Sequence, residues 1–276
     1  MDILLDRTEV VVADSRSPVS FQTEGGDGWA AWDRYVAIDG RRAFHIGNVC
    51  GTCSFFFERM EGAKRSINVE ELVEQLNGGL SVLDLALVEK IKKIMPNGKY
   101  QVLLMRMVPK LVYPNSAEDY FEKERVDLWG IDPFSGLPHY PKTQYYRPSS
   151  QIMENRAALY EFIIPTFPQN WLNEERVTSY VSRLRAGDTP TAVALSVLDV
   201  IPLVPSKTAR HLGKTSPQLP HYLLDGHHKV FAASKAGLPL ALLAFLAVDH
   251  GISSPEQIEQ VVKVIGRSNN RVQRDA

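Results

Sequence analysis

The sequence predicts an α+β fold, and three kinds of pattern lead to that prediction. Short apolar runs of strand length are bounded by glycine and proline, and other segments repeat apolar residues at helical spacing. The dipeptide Asp39-Gly40 separates two alternating segments, which is typical of a β-hairpin. With 276 residues, 44% of them hydrophobic, the chain is long enough for two domains with real cores, which we expect at 1–164 and 165–276.

The N-terminal part is expected to alternate strands and helices. Asn68 is a suitable helix N-cap, because Glu71 follows three positions later and completes a capping-box pattern. The expected elements are a strand over 9–13, hairpin strands over 32–38 and 42–46, a helix that begins at Asn68, a helix over 82–94 and a long strand over 100–112.

Residues 114–150 change in character, because proline and aromatic residues dominate and no periodic pattern is visible. Long connections of this kind are usually binding loops or linkers. This region is therefore either a loop that covers a substrate or a surface loop held by its own aromatic residues. Residues 154–162 fit a strand or a short helix, and 165–171 form the expected domain boundary.

The C-terminal part predicts a strand, a tight turn and a helix in immediate succession. Tyr222 to Leu224 reads as the end of a short buried strand, Asp225-Gly226 as the turn, and His227 as the start of a helix that stops at Gly237. Gly226 permits a positive φ, and the free N–H groups of the helix favour an anion. The other expected elements are a helix over 173–184, strands over 191–203 and 239–248, and a helix over 255–265.

The residues Asp225-Gly226-His227-His228-Lys229 resemble the Asp-Gly-His-His-Arg signature of the ParB/sulfiredoxin-like superfamily, and most closely that of its free serine kinase members. Lys229 replaces the usual arginine, which keeps the charge and loses the bidentate geometry. The resemblance covers roughly 165–265 and implies a ParB/sulfiredoxin-like domain with a mixed sheet, preceded by an α+β domain of another type. It gives no information about the first half of the chain.

The resemblance implies a nucleotide-binding protein, an ATP-dependent phosphotransferase that acts on a small-molecule hydroxyl or an ATPase, with ATP and Mg²⁺ as cofactors. Asp225 would orient or deprotonate the hydroxyl, while Gly226, His227, His228 and Lys229 would hold phosphate. A carboxylate in the preceding helix would complete the site, and Glu174 and Glu175 are both candidates. The alternative for Asp225 is an ordinary helix cap, since aspartate before a helix accepts backbone N–H groups.

A basic loop between two strands is a second source of phosphate ligands. Lys207 and Arg210 lie in it with two further basic or histidine side chains, His211 and Lys214, and no acidic residue among them. Folded over the Asp225 turn, this loop would place cations beside bound phosphates. The alternative is a solvated basic loop.

The only two cysteines, Cys50 and Cys53, have the spacing at which two thiolates hold one Zn²⁺ ion. A structural zinc site needs four ligands, and few others lie near in sequence. A Cys-x-x-Cys pair also forms reactive disulfides, and cysteines often pack as small apolar residues. All three interpretations stay open.

The rival function is a ParB-like, nucleotide-dependent DNA-binding or nuclease module. A partition protein needs a helix-turn-helix domain after this fold, and the residues after 250 provide one helix and a polar tail. A net charge of −1 gives no general attraction to nucleic acid or to a membrane surface. The sequence lacks a signal-peptide pattern and an apolar run of membrane-spanning length, so we expect a cytoplasmic protein that binds a nucleotide and a small-molecule substrate.

Overall fold

The computed structural model describes residues 3–13, 15–25, 33–48, 57–64, 73–114, 116, 119, 143–148, 151–152, 158–202 and 215–272. Within these residues the chain forms a ten-stranded mixed sheet and a four-stranded antiparallel sheet, with helices on both faces of the larger sheet. The α+β class predicted from the sequence is confirmed.

The strands are β1 (Ile3–Val12), β2 (Val19–Glu24), β3 (Asp33–Ile38), β4 (Arg41–Asn48), β5 (Glu58–Arg59), β6 (Gly98–Met107), β7 (Lys110–Val112), β8 (Tyr145–Arg147), β9 (Gln151–Ile152), β10 (Ala158–Pro165), β11 (Thr191–Val197), β12 (Asp199–Pro202), β13 (Thr215–Asp225) and β14 (Leu240–Ala247). The α-helices are α1 (Val73–Gly78), α2 (Leu85–Ile91), α3 (Glu174–Arg185), α4 (His227–Ala236) and α5 (Pro255–Val272). Short 3-10 turns cover Glu61–Lys64, Lys92–Ile94 and Gln169–Trp171.

The large sheet has the order β1-β6-β14-β11-β13-β10-β8-β7, and β12 and β9 pair with β13 and β10. Two of its strand pairs are parallel, β10 with β13 and β11 with β14. The remaining described pairs are antiparallel. The sheet is therefore mixed.

The expected domains, 1–164 and 165–276, do not form separate sheets. Strand β6, from the first segment, pairs along its length with β14, from the second. Strand β10, which ends at the expected boundary, pairs with β13 on the C-terminal side. Both segments therefore contribute strands to one hydrogen-bonded layer.

Each face of the large sheet carries its own apolar core. Helices α3, α4 and α5 cover one face with side chains such as Val177, Val230 and Val261. The small sheet, α1 and α2 cover the other face, where Phe44 and Leu76 are fully buried. Burial on both faces accounts for the uninterrupted apolar run of β14, since a central strand has no solvated side.

Several predicted elements are confirmed, and others differ in extent. Asp39 and Gly40 both have positive φ in the turn between β3 and β4, as the predicted hairpin requires. The strand expected over 100–112 is interrupted before β7, because Pro109 has no N–H for the ladder. The strand expected over 191–203 is interrupted at Leu198, and only its first part, β11, has neighbours on both sides. Strand β13 is much longer than the short strand expected before Asp225.

Candidate functional site

The carboxyl ends of β10 and β13 lie side by side, because these neighbouring strands are parallel. Each strand is followed by a helix on the same face of the sheet, α3 after β10 and α4 after β13. In many open α/β sheets, ligands bind outside the carboxyl ends of the strands. The predicted Asp225 turn therefore lies at the carboxyl ends of these strands, where ligands commonly bind in such sheets.

Gly226 forms the turn between β13 and α4. Its φ of 92° is left-handed, and it is the N-cap residue of α4. A Cβ atom at this position would lie 2.7 Å from the Cβ atom of Ala192, closer than real side chains approach. Both the backbone conformation and the packing therefore require glycine, and the predicted strand, turn and helix are confirmed.

Asp225 does not cap the helix. Gly226 occupies the N-cap position, and the Asp225 carboxylate accepts no hydrogen bond from a backbone N–H of α4 among the described residues. The Asp225 side chain is about one-fifth exposed, and its Oδ2 atom accepts a hydrogen bond from Lys229 Nζ at 3.3 Å. Lys229 is buried and also donates to the backbone oxygen of Thr191 at 2.9 Å. These two bonds fix the carboxylate, and Oδ1 makes no bond to the described residues.

His227 points into the protein. Its ring stacks on Phe167 with centroids 3.6 Å apart, and its Nε2 atom lies 3.1 Å from the backbone nitrogen and 2.8 Å from the hydroxyl of Thr166. Burial, and next the charge of His228, hold the pKa of His227 well below its usual value. His227 is therefore neutral at pH 7, and it holds the segment after β10 against the start of α4.

His228 joins the two helix starts. Its Nε2 atom accepts a hydrogen bond from the backbone N–H of Asn173 at 3.0 Å, and Asn173 is the N-cap residue of α3. Burial and then the charge of Arg176 lower the pKa of His228, while Asp225 acts in the opposite direction. The N-terminal ends of α3 and α4, each with a partial positive charge, thus lie close together.

Two arginines of α3 act electrostatically on Lys229, the partner of Asp225. Burial lowers the pKa of Lys229, Asp225 raises it, and the charges of Arg183 and Arg176 lower it further. Arg183 is itself paired with Asp188, its Nε atom 2.8 Å from Oδ2, so its charge is partly neutralised. Glu174 and Glu175 are exposed in the first turn of α3, directly after Asn173.

The N-terminal half of the chain also reaches this region. Tyr180 donates a hydrogen bond to Oδ1 of Asn77 at 2.7 Å, and Arg183 donates to the backbone oxygen of Asn77 at 2.7 Å. Asn77 lies in the last turn of α1. The sequence predicted a helix over 173–184 without singling out Arg176, Tyr180 or Arg183 as site residues, although the three recur at helical spacing.

A second polar cluster lies within the helix-covered face of the sheet. Ser196 Oγ is 2.7 Å from His221 Nδ1, and His221 Nε2 is 2.9 Å from Glu161 Oε1. All three side chains are buried, and Oε2 of Glu161 has no hydrogen-bond partner among the described residues. The residues come from β11, β13 and β10, so only strand order brings them together. The cluster is closed to solvent.

Four predicted site residues, Cys50, Cys53, Lys207 and Arg210, lie outside the described residues. The residues that flank the basic loop, Pro202 and Thr215, pair at the end of β13 opposite Asp225. A strand of that length spans roughly 35 Å. Thr215 and Asp225 thus lie at opposite ends of β13. No three His, Cys, Asp or Glu side chains of the described part cluster as a metal site.

None of the helices in the described ranges is long and apolar enough to cross a membrane. Comparison of the chain with protein-family models, with curated proteins and with solved structures finds no match.

Proposed function

We propose that this protein binds ATP at the Asp225 turn and transfers its terminal phosphate to a hydroxyl group of a small molecule. The observation that carries the proposal is the position of Asp225. Its partly exposed carboxylate is fixed by Lys229 at the point where the N-terminal ends of two helices meet. Because Asp225 does not cap α4, helix capping does not explain why an aspartate lies here.

The surroundings of Asp225 suit a phosphate chain. The N–H groups at the start of α3 and α4 favour anions, and Arg176 adds a positive charge near Lys229. His227 and Lys229 are committed to Thr166, Thr191 and Asp225. In this proposal they shape the site, whereas the backbone of the turn, His228 and Arg176 contact phosphate.

The chemistry requires one group on the attacking hydroxyl and charge neutralisation around the transferred phosphate. The hydroxyl oxygen forms the new bond to the terminal phosphorus, the bond to the ADP oxygen breaks, and Asp225 takes the hydroxyl proton. Carboxylate oxygens are ligands that Mg²⁺ prefers, so Asp225 with Glu174 or Glu175 would hold the ion, which would neutralise phosphate charge. With water as acceptor, the same site would act as an ATPase.

A thermal-shift panel tests binding, because a ligand that binds only the folded state raises the melting temperature. ATP, ADP, CTP and AMP are each added with and without Mg²⁺ to wild type, Asp225→Asn and Asp249→Asn. At 100 times Kd we expect about 2.7 kcal/mol of stabilisation, a rise of several degrees. Asp249 is the matched control. It is an exposed aspartate after the C-terminal end of β14, whereas Asp225 lies near the N-terminal end of that strand. If no nucleotide shifts the wild type, the proposal is wrong.

A transfer assay then separates binding from chemistry. Because of the resemblance to free serine kinases, L-serine is the first acceptor to test, and ADP formation is measured with and without it. We expect Asp225→Asn to lose ADP formation and to keep ATP binding measured without Mg²⁺, because in this proposal Asp225 acts on the hydroxyl and on the ion and does not contact the phosphates. Full turnover by Asp225→Asn would contradict the role of Asp225.

A further inference from the structure

A ladder of aromatic rings leads away from the Asp225 turn. Phe167 stacks on His227 with ring centroids 3.6 Å apart and an interplanar angle of 26°. Trp171 stacks on Phe167 at 5.9 Å and 27°. Phe167 thus lies between Trp171 and His227, the first residue of α4.

The outer end of this ladder is open to solvent. Trp171 is 46% exposed and Tyr113 is 48% exposed, although large aromatic side chains are usually buried. The Tyr113 hydroxyl donates to Oε1 of Gln169 at 2.7 Å, so both rings flank the 3-10 turn Gln169–Trp171. Exposed aromatic side chains that lie together, rather than singly, are typical of a binding site.

We infer that Trp171 is the stacking surface for the base of the bound nucleotide. This inference rests on the proposed function, because it uses the Asp225 turn as the phosphate end of the same ligand. Phe167 stacks against Trp171, and nearly half of Trp171 is still exposed and accessible to a flat aromatic group. In this inference the base lies at the aromatic end, and the phosphates lie at the start of α4, where Lys229 binds Asp225.

The inference also predicts which nucleotides bind. Stacking on an indole does not depend on the identity of the base, because every base has a π-face. We therefore expect ATP and CTP to bind with affinities within about tenfold of each other. Removing the ring should weaken nucleotide binding roughly tenfold or more, in the range measured for base stacking on aromatic residues.

The test uses ligands that divide the nucleotide into its parts. ATP, inorganic tripolyphosphate and adenosine are titrated by calorimetry into wild type, Trp171→Ala and Trp171→Phe. Leu85→Ala, which alters another exposed apolar side chain, is the control. We expect Trp171→Ala to lose roughly tenfold or more in ATP affinity and nothing in tripolyphosphate affinity, while Trp171→Phe keeps most of the ATP affinity. Fluorescence quenching by ATP should be present in wild type and reduced in Trp171→Phe.

The outcomes distinguish this inference from the proposed function. If ATP and tripolyphosphate bind equally well to wild type and Trp171→Ala, the stacking role is wrong and the phosphate site stands. If the wild type binds neither ATP nor tripolyphosphate, the proposed function is wrong. Adenosine binding that depends on Trp171 would then still support the stacking surface. If adenosine does not bind either, the stacking inference is also overturned. If Trp171→Ala changes only self-association in sedimentation, the aromatic surface is an interface between copies of the chain and the inference is overturned.

Discussion

Arg34 and Asp199 form a buried ion pair that joins the small sheet to the large one. Arg34 Nη1 donates to Asp199 Oδ1 at 3.1 Å, and Nη2 bonds to Oδ2 of the same carboxylate. Arg34 also donates to the backbone oxygens of Ile46 and His250, and Asp199 accepts from the N–H of Ile252. Backbone groups thus add bonds to both charges, which are almost wholly removed from water, while Nε of Arg34 has no hydrogen-bond partner among the described residues.

Replacing Arg34 with methionine should strongly destabilise the protein. The variant leaves Asp199 buried without its counter-charge, and breaking one side of a buried pair costs about 3–5 kcal/mol. Urea unfolding measures the loss. The control is Arg7→Met, because the Arg7–Glu259 pair is exposed and such pairs contribute about 1 kcal/mol or less. Equal losses in the two variants would contradict the special role of the Arg34–Asp199 pair.

Gly226→Ala should destabilise the protein more than Gly237→Ala does. Both glycines have left-handed φ values, 92° and 64°, at the two ends of α4. Alanine in that conformation costs about 1–2 kcal/mol at either site. Only at Gly226 would the new Cβ collide with Ala192, whereas nothing lies within 4 Å at Gly237. Overpacking adds about 1–3 kcal/mol, so urea unfolding of the two variants measures the collision by difference. Similar losses would mean that the turn relaxes away from Ala192.

The stability of the protein should fall on mild acidification because of His227. Burial lowers the pKa of His227 in the folded state below the ordinary value of 6.5, so the unfolded chain takes up a proton first as the pH falls. This contribution to the free energy of unfolding is fully present above pH 6.5 and is lost progressively below it, at up to about 1.4 kcal/mol per pH unit.

Urea unfolding between pH 7.5 and pH 5 measures this dependence. His227→Gln should flatten the profile below pH 6.5. His228→Gln should flatten it less, because His228 is only half-buried and its pKa is lowered less strongly. A profile of the same slope in wild type and His227→Gln would show that another group titrates in this window.

Ser196→Ala should cost about 1–3 kcal/mol, because it leaves Nδ1 of buried His221 without a partner. Ser182→Ala is the matched control, since the exposed Ser182 hydroxyl only bonds back to the backbone oxygen of Thr178 within α3. We expect that variant to stay within about 0.5 kcal/mol of wild type in urea unfolding. A loss below 0.5 kcal/mol for Ser196→Ala would indicate that another group satisfies His221.

Local chemistry made the Asp225 region readable from the sequence. Gly226 and Gly237 act on their immediate neighbours, so their pattern predicted both ends of α4. The Asp39-Gly40 hairpin was readable for the same reason.

Long-range pairing could not be read in this way. The partners of Ser196, His221 and Glu161 lie 25 and 60 residues apart in sequence, and only the order of β11, β13 and β10 brings them together. Pro217 and Pro220 concealed the first half of β13, because proline normally argues against an inner strand. The position of Phe167 between Trp171 and His227 depends likewise on the path of the chain after β10.

The place of β14 in the sheet bears on the order in which the protein folds during synthesis. The ribosome makes β14 after every other described strand, yet β14 lies between β6 and β11. Until residue 247 has left the exit tunnel, β6 and β11 each expose an unpaired edge, and exposed edges invite pairing with other chains. The large sheet can therefore form completely only after β14 has been synthesised. We expect the nascent protein to depend most on chaperones before that point.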